Sequence, residues 1–213
     1  MARVSGWCRF SEAIRHCDFV RRDFVPKAWY AEGVSAADSD RESQINPLGP
    51  PDCHHLSAAI GWLELGDVAE AGAELGKIAP QFQSHPHVLV SRYEICAKAG
   101  KWDAAAEIAG TLAQLEPHQP GAWISLAYAV RRKTGGGIPQ ARAILVQARQ
   151  AFPREQTIAF NLACYECQLG DLDAARSWLE KACALGNANK VKLMALEDAD
   201  LKPLWPELRE ARA

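Results

Sequence analysis

A chain of 213 residues, 48% of them apolar and 23% charged, carries enough hydrophobic material for a real core, which excludes wholesale disorder. Its 24 Lys and Arg against 26 Asp and Glu leave a formal net charge of -2, with no positive excess to hold a phosphate backbone, so nucleic acid is not an expected partner. No apolar run reaches the roughly 18 to 20 residues that a membrane-spanning helix needs, and Arg, Asp and Glu interrupt every apolar cluster of the first thirty residues, so neither a membrane nor export is expected. Seven cysteines, an odd number, lie scattered at 8, 17, 53, 96, 164, 167 and 183, which fits reduced thiols in a cytoplasm rather than a disulfide framework.

In chain order, residues 1–51 do not repeat. Phe10, Ile14, Cys17 and Phe24 can share one face of a short helix ended by Pro26, whereas Ser35 to Pro51 is rich in Ser, Asp, Gly and Pro and reads as linker. Three readings stay open for this extension: a poorly ordered segment, a helix folded back on the rest of the chain, or non-native sequence from an upstream start. Six aromatics in the first thirty residues count against pure disorder.

From residue 52 the chain repeats. Leu65-Gly66-Asp67-Val68-Ala69-Glu70-Ala71, Ala99-Gly100-Lys101-Trp102-Asp103-Ala104-Ala105 and Leu169-Gly170-Asp171-Leu172-Asp173-Ala174-Ala175 share a glycine followed by an acidic and alanine-rich run. Gly66 and Gly100 are 34 residues apart; Gly100 and Gly170 are 70 apart, which is two periods plus two residues, so a further copy with a two-residue insertion belongs between them. Gly135-Gly136-Gly137 is the place for that insertion, and the shifted register aligns Ala141 with Ala71, Ala105 and Ala175. Apolar residues follow helical spacing on both sides of each glycine, as in Ile158, Leu162 and Tyr165, then Leu172, Ala175, Leu179 and Ala182.

Each copy therefore predicts helix, tight turn, helix, with proline-containing segments between copies. The four copies span about 52–85, 86–119, 120–155 and 156–186. Ala71, Ala105, Ala127, Ala141, Ala148, Ala163, Ala175 and Ala182 recur where backbones must approach closely, and Trp62, Trp123, Leu126, Leu145, Leu162 and Leu179 are expected to fill the spaces between helices at roughly 1.5 to 3 kcal/mol each. A single hairpin cannot bury its apolar face, so the copies are expected to stack. The last segment, 187–213, predicts a cap: a short helix over Lys190 to Ala195, then Leu201, Leu204 and Trp205 packed on the final copy.

On these residues the sequence resembles the tetratricopeptide repeat family. The third copy carries Trp123, Leu126, Ala127, Ala141, Ala148 and Pro153 at the family's signature places; the fourth carries Leu162, Ala163, Gly170, Ala175 and Ala182; the second, Gly100, Ala105 and Pro117. The first is weaker, with His55 in place of the usual aromatic but Ala59, Trp62, Gly66 and Ala71 in register. The tail is similar to the Asp-x-Asp-Leu-x-x-Leu ending of some bacterial members. The resemblance implies an all-α fold, a right-handed superhelical solenoid of four hairpins plus a capping helix, whose first helices line a concave groove that binds peptides or proteins.

Projected from the repeat register, the groove residues are Leu56, Ile60, Val90, Glu94, Lys98, Ile124, Tyr128, Arg131, Arg132, Phe160 and Gln168, with Cys53, Leu63, Glu64, His87, Thr157, Cys164 and Cys167 beside them. Leu56, Ile60, Val90, Ile124, Tyr128 and Phe160 would make a hydrophobic strip suited to an amphipathic helix or apolar peptide, unless the amino-terminal segment or a second copy covers it. The Lys, Asn and Arg clamp by which some family members hold a terminal carboxylate is missing, since Asn161 is the one Asn at a corresponding place. The expected function is a non-catalytic interaction adaptor, without cofactor or metal. Two alternatives stay open: a thiol or metal function of Cys164 and Cys167, spaced Cys-x-x-Cys on one helical face, and self-assembly of the array. Lys133-Thr134-Gly135-Gly136-Gly137 has phosphate-loop residue types in the wrong order and reads as a lengthened turn.

Overall fold

Prolines start the helices and glycines stop them. The computed structural model describes residues 48–210, so the readings of residues 1–47 lie outside the described residues. The first hairpin pairs α1 (Asp52–Leu65) with α2 (Val68–Lys77), the second α3 (Pro86–Lys98) with α4 (Trp102–Leu115). The third pairs α5 (Pro120–Arg132) with α6 (Ile138–Ala151), and the fourth α7 (Gln156–Leu169) with α8 (Leu172–Leu185). Then come α9 (Ala188–Glu197), a 3-10 segment (Ala199–Leu204) and α10 (Trp205–Glu210). Pro86, Pro120 and Pro139 sit in first turns, where a missing N–H leaves no partner wanting. Consecutive helices pack on one another from α1 to α9, and there is no strand among the described residues. The result is an all-α helical-repeat solenoid.

The repeated Gly-Asp pair builds one turn twice. Gly66 (φ 83°) and Gly170 (φ 88°) end α1 and α7 in the left-handed region, which a side chain at Cβ disfavours. The next residue does two jobs: Asp67 N–H donates to the Trp62 carbonyl while its carboxylate accepts from Glu70 N–H at 3.0 Å, and Asp171 does the same with Glu166 and Ala174. The inserted turn of the third hairpin is tied down differently. The Thr134 N–H and hydroxyl both donate to Asp103 of α4, at 3.1 and 3.0 Å. A Cβ at Gly136 would collide with the Val130 carbonyl. Gly136→Ala is therefore expected to lower stability by roughly 1–3 kcal/mol in urea denaturation, while Gly72→Ala, where a methyl meets open space, is expected to be neutral or stabilising.

Small residues set the distance between helices. Ala71, Ala105, Ala127, Ala141, Ala163, Ala175 and Ala182 are fully buried and Ala148 is 2% exposed, so these positions have no room for branching. Leu145, Leu162 and Leu179 fill the spaces beside them. Trp62 does not: it is 36% exposed. Trp123 and Leu126 are half-buried rather than enclosed. Across the third and fourth hairpins, Arg142 Nε donates to the buried Glu166 at 2.7 Å, so the one charge that α7 buries against α6 is paired.

The carboxyl-terminal tail closes the stack. Asn187 caps α9 through Lys190 N–H at 3.0 Å, and Asp198 caps the 3-10 segment through Asp200 N–H at 3.0 Å. Leu201 and Leu204 are enclosed with Val191 and Ala195 in the same cluster as Ile158, Leu162, Tyr165 and Leu179. Trp205 Nε1 donates to the Ala195 carbonyl at 2.9 Å. Apolar surface that a fifth hairpin would otherwise cover is thereby removed from water.

Candidate binding face on the first helices

The period, with its two-residue insertion after α5, lays three rows across α1, α3, α5 and α7. The rows are Leu56, Val90, Ile124 and Phe160; then Ile60, Glu94, Tyr128 and Cys164; then Glu64, Lys98, Arg132 and Gln168. The first row is core. Leu56, Val90, Ile124 and Phe160 are all buried, which corrects the expectation that they form an open apolar strip. The reason is the direction of the row: Leu56 packs with Leu75, Ile78 and Val88, and Ile124 and Phe160 join the cluster that holds Leu201 and Leu204. What the face presents comes from the second and third rows, with Ile60 and Tyr128 half-buried and Glu64, Lys98 and Gln168 exposed.

The third hairpin contributes an aromatic and cationic stack. Trp102, at the start of α4, meets Tyr128 edge to face with centroids 5.7 Å apart. Arg132 lies over both rings, 3.6 Å from the Tyr128 centroid and 5.3 Å from that of Trp102, a contact of about 1 kcal/mol that fixes the guanidinium on the face. Tyr93 on α3 donates its hydroxyl to the Ser125 carbonyl on α5 at 3.0 Å, which holds the second and third hairpins in register. Trp102 was not legible as a face residue, because it belongs to a second helix and reaches the face only across the repeat junction.

At the fourth hairpin the tail covers the face. Arg131 donates two hydrogen bonds to Asp200, that from Nη2 at 3.0 Å, and its guanidinium also lies 5.4 Å from the Tyr165 centroid. Gln168 Nε2 donates to the Asp200 carbonyl at 2.9 Å, and the Cys164 thiol donates to Asp198 at 3.9 Å. Arg131, Cys164 and Gln168, three residues assigned to the groove, thus hold the chain's own tail. Asn161 Nδ2 donates to the Thr157 carbonyl of its own helix.

The same contacts bear on the two thiols. Burial, together with the Asp198 and Asp200 carboxylates, pushes Cys164 well above the usual thiol range; burial and Asp200 raise Cys167. Both thiols stay protonated at neutral pH, which disfavours nucleophilic chemistry. Cys164 Sγ and carboxylate oxygens of Asp198 and Asp200 lie within 4.8 Å of one another, a spacing that a metal ion could bridge. Each of those groups already has a protein partner: Arg131 for Asp200, and the Asp200 N–H and the Cys164 thiol for Asp198. Chemically the cluster is a clamp on the tail.

Glu94 differs from its neighbours. It is 8% exposed, a carboxylate buried on a first helix. Burial raises its pKa to about 7; Lys98, one turn on, opposes the shift and Glu64 on α1 adds to it.

No protein-family model and no curated protein matches the chain. Among solved structures it is similar to TTC0263, a thermophilic TPR protein of Thermus thermophilus, with a TM-score of 0.59 at 20% identity over 74% of this chain and 82% of that one. The fold is that of a tetratricopeptide-repeat array. At this identity the likeness speaks for the architecture, so the chemistry of the array's face rests on its own residues. No described helix of the array is long and apolar enough to cross a membrane.

Proposed function

We propose that the chain is a non-catalytic interaction scaffold that binds a peptide or short helix of another protein across the first helices of its first three hairpins. The observation that carries this reading is the tail: the face already holds a length of polypeptide at the fourth hairpin, by a two-pronged Arg131–Asp200 pair and a side-chain bond from Gln168 to backbone. The same kind of surface continues over α5, α3 and α1 as Tyr128, Arg132, Lys98, Glu94, Glu64 and Ile60. Half-buried aromatics and an arginine stacked on them are the residue types that concentrate binding energy at interfaces. Burial of both thiols weighs against a redox role, and a cytoplasmic setting accords with cysteines that stay reduced.

The test is selection of a random dodecapeptide phage library on the full chain, followed by binding of the best synthetic peptide to variants. Tyr128→Ala is expected to weaken that peptide at least tenfold with unchanged helicity by circular dichroism, since an interface aromatic is commonly worth about 2 kcal/mol. Gln147→Ala, exposed on the second helix α6, is expected to leave binding unchanged. Equal binding by Tyr128→Ala and the parent chain would remove the first-helix face as the site. Phe160 is unsuitable for this purpose, because its loss would open the core under the tail.

A further inference from the structure

We propose that the outer face of α9 is a docking surface for a second copy of this chain, the two helices lying antiparallel about a two-fold axis that passes between Leu193 and Met194. The inference stands apart from the peptide reading and uses no residue of the first-helix face. A helix that closes a stacked array is expected to be polar where it meets water. This one is not. Val191 and Ala195 turn α9 inward, onto the cluster shared with α7, α8 and the tail. On another side of the same helix Leu193 is 43% exposed and Met194 37%, next to each other, with the half-buried Leu196 extending the patch.

The order of residues along this stripe says what fits it. Lys190, Leu193, Met194 and Glu197 follow at i, i+3, i+4 and i+7, so they share one face of α9, and all four are exposed. Read backwards, the stripe is its own complement. An antiparallel second copy sets Leu193 against Met194 of that copy at the axis, and Lys190 against its Glu197 about 5 Å to either side along the helix. A parallel pair would oppose lysine to lysine and glutamate to glutamate. The apolar contact supplies the attraction; the flanking charges set its direction, since exposed ion pairs add little strength of their own. Two helices of this length bury less than the roughly 1,200 Å² of a standard interface, so the pairing is weak and reversible, with a Kd on the order of 0.1 mM. α9 packs on α8, the 3-10 segment and α10, so each pair carries two first-helix faces over α1, α3 and α5.

The experiment is sedimentation equilibrium of the full chain from about 10 μM to about 0.5 mM, a range that brackets such an affinity. The weight-average mass is expected to rise from that of a monomer towards that of a dimer. Met194→Glu, at an exposed position, is expected to keep its helicity and to stay at the monomer mass throughout. Lys190→Glu, in the first turn of α9, and Glu197→Lys, in its last, both suit the helix dipole, so neither is expected to disturb the fold. Each alone is expected to weaken the dimer severalfold, and the two together, which restore opposite charges across the axis, to recover the parent Kd within about twofold. A monomer mass at every concentration, a rise that Met194→Glu leaves unchanged, a double exchange no better than the single ones, or a mass that climbs past the dimer would each overturn the pairing.

Discussion

Replacing Leu201 and Leu204 together by Ala is expected to lower stability by roughly 4–8 kcal/mol, the largest effect of any exchange outside the repeats. Both side chains are enclosed, at 0% and 1% exposure, in the cluster built by α7 and α8, so truncation leaves a cavity where no neighbour can collapse without moving the 3-10 segment. The loss is expected to be local. A stacked array holds together through nearest-neighbour interfaces, so hydrogen exchange is expected to accelerate first in α9, α10 and α8, while α1 to α4 keep their protection. The double variant is also expected to free Arg131 and Gln168, which now hold Asp200. A change below about 1 kcal/mol, or acceleration spread evenly over all helices, would show that the tail is not the cap.

Glu94→Gln is expected to act in the opposite direction, and increasingly so as pH rises above about 4.5. In the folded chain, burial raises the Glu94 carboxyl from 4.5 to about 7, with Glu64 adding to the shift and Lys98 opposing it. Between those two values the folded chain binds more protons than the unfolded one, so its stability declines as pH rises through that window and stays at the lower level above it. Gln cannot ionise and escapes this decline. The parent chain is therefore expected to lose on the order of 3 kcal/mol relative to the variant between about pH 4 and pH 8. Urea denaturation of both chains at the two pH values measures the difference directly. Parallel pH profiles would show that the carboxylate is solvated after all.

Much of the architecture was legible because it is written in local chemistry. The Gly-Asp pairs at 66 and 170 fix both the end of one helix and the start of the next, and alanines at a 34-residue beat mark where helices touch. The inserted glycines at 135–137 also follow from arithmetic on the period. The face was harder, for a geometric reason. Leu56, Val90, Ile124 and Phe160 have the same spacing along their helices as Ile60, Glu94, Tyr128 and Cys164, and only the angle at which neighbouring helices pack decides which row is covered. Sequence spacing carries no information on that angle. The tail was expected as a cap, yet its path over the first helices depends on the pairing of Arg131 with Asp200, residues too far apart in the chain for any local pattern to join. Glu94 was named for its position; its burial is a property of the packed array.

The most direct test of the account is hydrogen–deuterium exchange of the full chain with and without the dodecapeptide selected on it. Bound peptide is expected to slow exchange in α1, α3 and α5 and to leave α2, α4 and α6 unchanged, with α7 unaffected beneath the tail. Protection centred on the second helices, or displacement of the tail with protection of α7, would contradict it.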